Sequence, residues 1–359
     1  MASSGNVAAW QNEPKGPLTV KETKLWQPSA GEVRIKILAV PLQPADAKQY
    51  HQQIMPRFKY PGILGSQCAG IVDKVGEGVS KFKVGDRVAS GLNNYANGGD
   101  PARAAHQRYT IAEQYEVVPI GDQLSFHEAV ALNTQTPPAA LFSHTTLGMD
   151  RPVEPPAKAE QKDKKILIWG GSSAMGALSI CYAKLAGYEV ITTCSATSVD
   201  LVRARGADHI FERNDPGIAE KIKQLLPIDF WFDTISLPDS VGPIIKLATA
   251  QHERSGEDIK LLTLLPTTSQ WSPGMPEIPP FLKTQMHFFR NKAEENKDHM
   301  DWLMGTPDKP GFMERGLKGG WLKGVPSKSL GGLDKIEEGL TMIQEGKHSA
   351  VKLVIEPWK

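Results

Sequence analysis

Apolar and polar positions alternate through Glu32-Val-Arg-Ile-Lys-Ile-Leu38, setting Val33, Ile35 and Ile37 on one side of an extended chain, as a half-buried strand requires. A glycine- and valine-dense block follows, Gly65-Ser-Gln-Cys-Ala-Gly-Ile-Val-Asp-Lys-Val-Gly76, then Phe82-Lys-Val-Gly-Asp-Arg-Val88 and residues 109–111 and 116–118. Short strands broken by Gly and Asp turns predict a small barrel over residues 1 to about 135. Residues 150–164 are proline-rich and charged and read as a surface loop. Beyond it strands (166–169, 190–193, 210–211, 230–232, 261–265) alternate with helices (177–186, 201–205, 218–225, 241–248). That alternation predicts an α/β fold with a parallel, doubly wound sheet. Residues 267–329 carry many Pro, Gly and Trp and yield no clear pattern. An amphipathic helix (333–343) and a strand (351–355) close the chain. The loop at 96–105 is polar and rich in small residues, and no role is assigned to it.

One junction in this pattern carries chemistry. The buried strand at 166–169 runs into Gly170-Gly-Ser-Ser-Ala-Met-Gly176 and then into a helix. The spacing Gly171-x-x-x-x-Gly176 predicts a turn whose backbone NH groups, from Ser172 through Ser173 and Ala174 to Met175, meet a pyrophosphate at a helix N-terminus. The next strand ends in Cys194-Ser195 without an acidic residue. A carboxylate there would hold a ribose diol and repel a 2′-phosphate; Ser195, Thr197 and Ser198 instead point to NADP(H).

Composition narrows the class. Lys plus Arg number 41 against 40 Asp plus Glu, so no global field favours nucleic acid or an acidic membrane. Three scattered cysteines (Cys68, Cys181, Cys194) form neither a disulfide framework nor a zinc ribbon, and fit a reduced, cytoplasmic setting. No apolar run reaches the roughly 20 residues of a membrane span.

Taken in order, Gly31-Glu-Val-Arg-Ile-Lys, Pro44-Ala-Asp46, Gly65 with Ala69-Gly70, Val75-Gly76, Phe82 with Gly85-Asp86-Arg87-Val88, Gly170-Gly-Ser-Ser, Arg205-Gly-Ala-Asp208 and Lys352-Leu-Val-Ile355 resemble the medium-chain dehydrogenase/reductase superfamily. The resemblance implies a GroES-like catalytic domain built from residues 1–138 and 306–359, interrupted by a Rossmann domain at 139–305. It is strongest to the zinc-independent, quinone-reductase-like branch and to fungal trans-acting enoyl reductases, through Pro44-Ala-Asp-Ala-Lys48, Thr193-Cys-Ser195 and Asp200-Leu-Val-Arg-Ala-Arg-Gly-Ala207. Zinc-dependent relatives place Cys where Gln43 stands and His-Glu where Ser66-Gln67 stand, so no catalytic zinc is expected.

The same resemblance implies that Gln43, Pro44, Ala45 and Asp46 line the nicotinamide side. It sets Ser195, Ala196, Thr197 and Ser198 at the 2′-phosphate, and Leu264, Leu265, Ser349 and Ala350 at further cofactor contacts. Arg213 stands where relatives often carry Tyr, either gripping the phosphate or as a solvated arginine. Pro138 falls where the family has Thr and removes an amide contact unless Thr134 or Thr136 replaces it. Ala350 replaces a common Gly.

Without a Lewis acid, conjugate reduction of an enoyl, enone or quinone suits the site better than carbonyl exchange. Lys48 is the candidate for anchoring or polarising the substrate carbonyl, an ordinary exposed lysine being the alternative, and Tyr50 is a weaker candidate donor that reads more readily as a packed or surface tyrosine. Trp271, Trp302, Trp321, Met275, Met286, Phe288 and Phe289, with His287, lie where relatives build substrate pocket and subunit contacts. The expected partner is a small molecule, a carrier-bound polyketide intermediate included, acted on by a monomer or homodimer in secondary metabolism. Carbonyl reduction, a redox-neutral step and a non-catalytic cofactor binder remain as alternatives.

Overall fold

The computed structural model describes residues 5–92, 94–132, 135–155, 157–287 and 294–359. They form two compact units, Met1–Thr134 with Asp301–Lys359, and Gln135–Met300.

The first unit is built on Glu32–Pro41. Its residues 32–36 pair with Tyr109–Glu113, residues 33–39 with Gln67–Val75, and residues 40 and 41 with Lys352–Ile355. Two register shifts in the pairing with Gln67–Val75 mark irregularities that bend the sheet. Arg87–Gly91 and Val117–Pro119 extend one side, and Ser327–Gly331 adds to Lys352–Ile355 in parallel. Val33, Ile35 and Ile37 are fully buried, as the alternation requires, together with Leu64, Val72, Val88, Ile336 and Leu340. Each such side chain contributes about 1.5–3 kcal/mol on burial. Helix Pro44–Gln52 packs on helix Ile336–Gln344. Pro44 opens the first helix where a missing NH costs nothing, and the Asp46 carboxylate accepts the Gln43 NH at 3.2 Å. Residues 82–86 are not part of a strand; they form the turn that enters Arg87–Gly91.

The second unit carries six parallel strands in the order His209–Glu212, Glu189–Cys194, Lys165–Trp169, Phe230–Asp233, Ile259–Thr263, Leu282–Met286. In chain order this is 3-2-1-4-5-6, the doubly wound arrangement whose direction of winding reverses beside Lys165–Trp169. The helix predicted at 177–186 is Ala174–Leu185, because the Ser173 hydroxyl caps it by accepting the Gly176 NH at 2.9 Å. The helix predicted at 241–248 extends to Pro238–Ser255 and stops at Gly256, φ +72°. The strand expected at 261–265 ends at Thr263, which leaves Leu264 and Leu265 beyond it.

Residues 267–329 hold strand Leu282–Met286, helix Phe312–Lys318 and strand Ser327–Gly331, elements too short to impose a visible period. The aromatic residues expected to gather here divide between the units. Trp302 stacks on Phe312 at 4.8 Å and Trp321 meets the same ring edge-on at 5.0 Å in the first unit. Trp271 and Met286 are exposed in the second, and Met275 is half-buried. Phe288 and Phe289 lie outside the described residues. Among the described residues no helix is long and apolar enough to cross a membrane.

Candidate cofactor site and a buried polar cluster

The strand Lys165–Trp169 delivers the chain to Gly170, whose φ of +84° an L side chain rarely adopts. Thr193 on the adjacent strand holds the turn twice: its hydroxyl accepts the Gly170 NH at 3.0 Å and its carbonyl the Gly171 NH at 2.8 Å. A Cβ on Gly171 would stand 2.1 Å from the Thr192 hydroxyl, and one on Gly176 2.3 Å from the Gly170 carbonyl. Both glycines are therefore required by the closeness of strand, turn and helix. Thr234 donates its hydroxyl to the Trp169 carbonyl at 2.7 Å and meets Ser173 at 3.0 Å, tying the helix start to the strand across the switch point. Ser172, Ser173 and Ala174 are half-buried while Met175 and Gly176 are buried, so the backbone reaches the surface at the N-terminus of a 12-residue helix. Positive dipole ends and NH groups there suit an anion, and the side-chain-free approach suits a pyrophosphate.

At the end of the second strand Ser195 Oγ lies 3.0 Å from Ser198 Oγ and 3.1 Å from Thr197 Oγ1. Ser198 is buried, Ser195 half-buried, and Ala196 and Thr197 exposed. The backbone NH of Arg213 is fastened to the Cys194 carbonyl at 2.8 Å, so its exposed guanidinium starts from the same strand end. Three hydroxyls and a nearby cation are donors suited to a phosphate. Leu264 is fixed by its NH donating to Ser236 Oγ at 2.8 Å, and Leu264 and Leu265 are half-buried. Pro137 and Pro138 are buried in the first turn of Thr136–Phe142, where neither needs an NH for the helix. Thr136 is half-buried there; Thr134 lies outside the described residues. His287 is half-buried and burial pushes its pKa down to about 4.

In the first unit, Gln43 and Asp46 belong to a polar cluster that also contains Gln67, Tyr95, His106 and Lys352. Lys352 Nζ donates to Gln43 Oε1 at 2.8 Å, and Gln43 Nε2 donates to Gln67 Oε1 at 2.5 Å. Tyr95 donates its hydroxyl to Asp46 Oδ1 and accepts the Gly65 NH at 3.3 Å. His106 Nε2 stands 3.8 Å from Asp46 Oδ2. Register explains the assembly: Val354 faces Pro41 and Leu42 NH bonds to the Leu353 carbonyl at 2.9 Å, which brings Lys352 beside Gln43. Burial pushes Asp46 up to about 6, against the opposing pull of Tyr95, Gln43 and Lys352. It pushes Lys352 down to about 8 and His106 to about 3, and raises Tyr95 well above its ordinary value. For Asp46 and Lys352 desolvation thus outweighs their attraction, while for Tyr95 the neighbouring Asp46 carboxylate adds to the effect of burial.

Lys48 is half-buried, with its pKa lowered by burial, while Pro44 is exposed and Ala45 half-buried. Tyr50 is 6 % exposed within the hydrophobic core, its hydroxyl turned to Glu337 and its pKa raised by burial. Tyr50 thus takes the packed placement, among buried core side chains. Ser349 is exposed, and Ala350 has φ +54°, the conformation that explains a glycine at this position in relatives. Tyr95, His106 and Lys352 escaped the sequence reading as site residues. Lys352 alone left a signal, as a cation in a strand whose other positions are all apolar.

The alcohol dehydrogenase GroES-like domain family matches residues 29–122. The trans-enoyl reductase himH of Aspergillus japonicus is 30% identical over 362 residues, spanning 99% of this chain and 98% of that protein. The trans-enoyl reductase tndF of Aspergillus flavipes is 34% identical over 216 residues, 60% of this chain and 61% of that protein. Among solved structures, the CurK enoyl reductase superposes with a TM-score of 0.71 at 20% identity, over 99% of this chain and 100% of its own. With the 3-2-1-4-5-6 sheet and the glycine turn beside its switch point, these likenesses establish that the chain belongs to the medium-chain dehydrogenase/reductase superfamily, in the quinone- and enoyl-reductase branch that includes the fungal trans-enoyl reductases.

Proposed function

We propose that the chain is an NADPH-dependent reductase of an activated C=C bond, in an enoyl thioester or enone, or of a quinone, working without zinc. The observation that carries the reading is the hydroxyl set Ser195, Thr197 and Ser198 at the strand end beside the glycine turn, where a carboxylate would select the unphosphorylated ribose. When bound, the nicotinamide supplies the hydride. The chain's own part is to hold the pyrophosphate at the start of helix Ala174–Leu185, to grip the 2′-phosphate with the hydroxyls and Arg213, and to stabilise charge on the acceptor oxygen. Lys48 suits that last task, since a desolvated ammonium gives up its proton more readily. The ammonium of Lys352 against Gln43 supports zinc independence, because a cation at 2.8 Å disfavours a dication at the same side chain. The similarity to trans-enoyl reductases supports a carrier-bound polyketide intermediate as the substrate class and a place in fungal secondary metabolism.

Purified protein should oxidise NADPH with a crotonyl thioester or 9,10-phenanthrenequinone, and 4-deuterated NADPH should leave one deuterium on a reduced thioester. Tight NADPH binding with no turnover across both acceptors would instead favour a non-catalytic cofactor binder, the reading to which Pro138 lends weight.

A further inference from the structure

Lys352 has no role in the cofactor reading, yet it is a lysine 4 % exposed at the start of a fully buried strand. A buried ammonium is costly unless its hydrogen bonds do something for the fold or the site. Its partner is a neutral amide, not a carboxylate, at 2.8 Å. An ammonium only donates, so the atom of Gln43 that faces it must be the carbonyl oxygen. The NH2 end is thereby turned the other way, with one N–H given to Gln67 Oε1 at 2.5 Å. Gln43 therefore has a single orientation, set from residue 352 through a contact 309 residues apart in sequence.

We propose that Lys352 is a positioning residue for the reduction: its ammonium pins the Gln43 carboxamide with the oxygen inward, so that the remaining N–H is presented as a donor to the oxygen of a bound acceptor or carboxamide. This rests on the reading of Gln43 as a residue on the nicotinamide side. The device supplies fixed positive polarity at a position where zinc-dependent relatives hold a metal. It also contains its own pH limit. Once Lys352 loses its proton, the amine nitrogen accepts as well as donates, and the orientation of the amide is left to its weaker, neutral contact with Gln67. The groups that face Lys352 are Asp46 from helix Pro44–Gln52, with Tyr95 and His106 behind it, and His348 from the approach to its own strand. Burial holds both histidines neutral above pH 7, so Asp46 and Lys352 are the charges in play there.

Two measurements test this on the full chain. In steady-state kinetics with NADPH and a crotonyl thioester, Lys352→Met should lower kcat about 10-fold, leave the KM for NADPH within about twofold, and abolish an alkaline limb near pH 8. Lys352→Arg should restore most of kcat and move the limb out of range. A Lys352→Met enzyme with unchanged kcat and an unchanged alkaline limb would overturn the proposal. The second measurement needs no turnover. In 15N-glutamine-labelled protein, the NH2 pair lost in Gln43→Met should shift with a midpoint near pH 8 in the unmodified chain. In Lys352→Arg it should stay constant through that range. A pair that does not respond to pH in the unmodified chain would refute the pinning, even where no acceptor is reduced. If the crotonyl thioester is not reduced but the NMR response is seen, the pinning stands and the reductase reading fails.

Discussion

Ser195→Asp should convert the cofactor preference, and the structure sets the size of the effect. Ser195 Oγ sits within 3.1 Å of two other hydroxyls, so a carboxylate at this position would share their ligand. A carboxylate and a near-dianionic phosphate about 5 Å apart, at an effective dielectric of about 40–60 for a half-exposed edge, repel by roughly 2–3 kcal/mol. That weakens NADPH binding about 30- to 150-fold. The same carboxylate accepts from the ribose diol of NADH, which should gain about 1 kcal/mol, or roughly fivefold. Folding should be unaffected, because Ser195 makes no side-chain cap bond to the short 3-10 turn it precedes, and Asp is as well tolerated as Ser at such a position. Calorimetric titration with each cofactor at low and high salt is the assay, and the NADPH penalty should shrink as salt rises. If the two affinities change together, or by less than about threefold, the 2′-phosphate does not lie at Ser195 and the NADPH argument fails.

Gly176→Ala drives a methyl toward the Gly170 carbonyl, a backbone atom that cannot swing aside; it should cost about 2–3 kcal/mol, lower the Tm by about 4–12 °C and abolish NADPH binding, as thermal melts with and without cofactor would show. Asp46→Asn should flatten a pH dependence of stability. A carboxyl whose pKa rises from 3.8 to about 6 on folding binds its proton more tightly in the folded state, so the stability it adds at low pH is lost as pH climbs through 4 to 6. Urea unfolding at pH 4 and pH 7 should show that loss, up to about 3 kcal/mol, in the parent chain but not in the variant. Arg103→Met leaves Glu32 without its ion-pair partner and should destabilise by about 1–3 kcal/mol in denaturant melts, because both side chains are mostly buried.

Sequence patterns inform only where the physical cause is local. Val33, Ile35 and Ile37 were legible because alternation is local, and every other side chain in a strand shares a face. Gly171 and Gly176 were legible because their spacing reports a steric demand within one turn. The loop at 96–105 was not. Its Arg103 pairs with Glu32, and Tyr95 just before it bonds to Asp46. Neither partner is near in sequence, and small polar residues around them look like any exposed turn. Tyr50 was ambiguous for a related reason: two residues past Lys48 a tyrosine suits either a donor or a packed side chain, and its burial among the core residues is visible only in the fold.

The chain's linear order alone therefore determined a β-rich part, a doubly wound part, a glycine-rich strand-to-helix turn and a strand end without a carboxylate. These are consequences of periodicity and of short-range sterics, which act within a few residues. Tertiary structure decided what surrounds Gln43. Antiparallel register between Lys352–Ile355 and Glu32–Pro41 brings Lys352 beside it, and only burial moves the pKa values of Lys352 and Asp46 toward neutrality. Pairing across 309 residues has no local pattern, because the energy that selects it comes from the whole packed sheet.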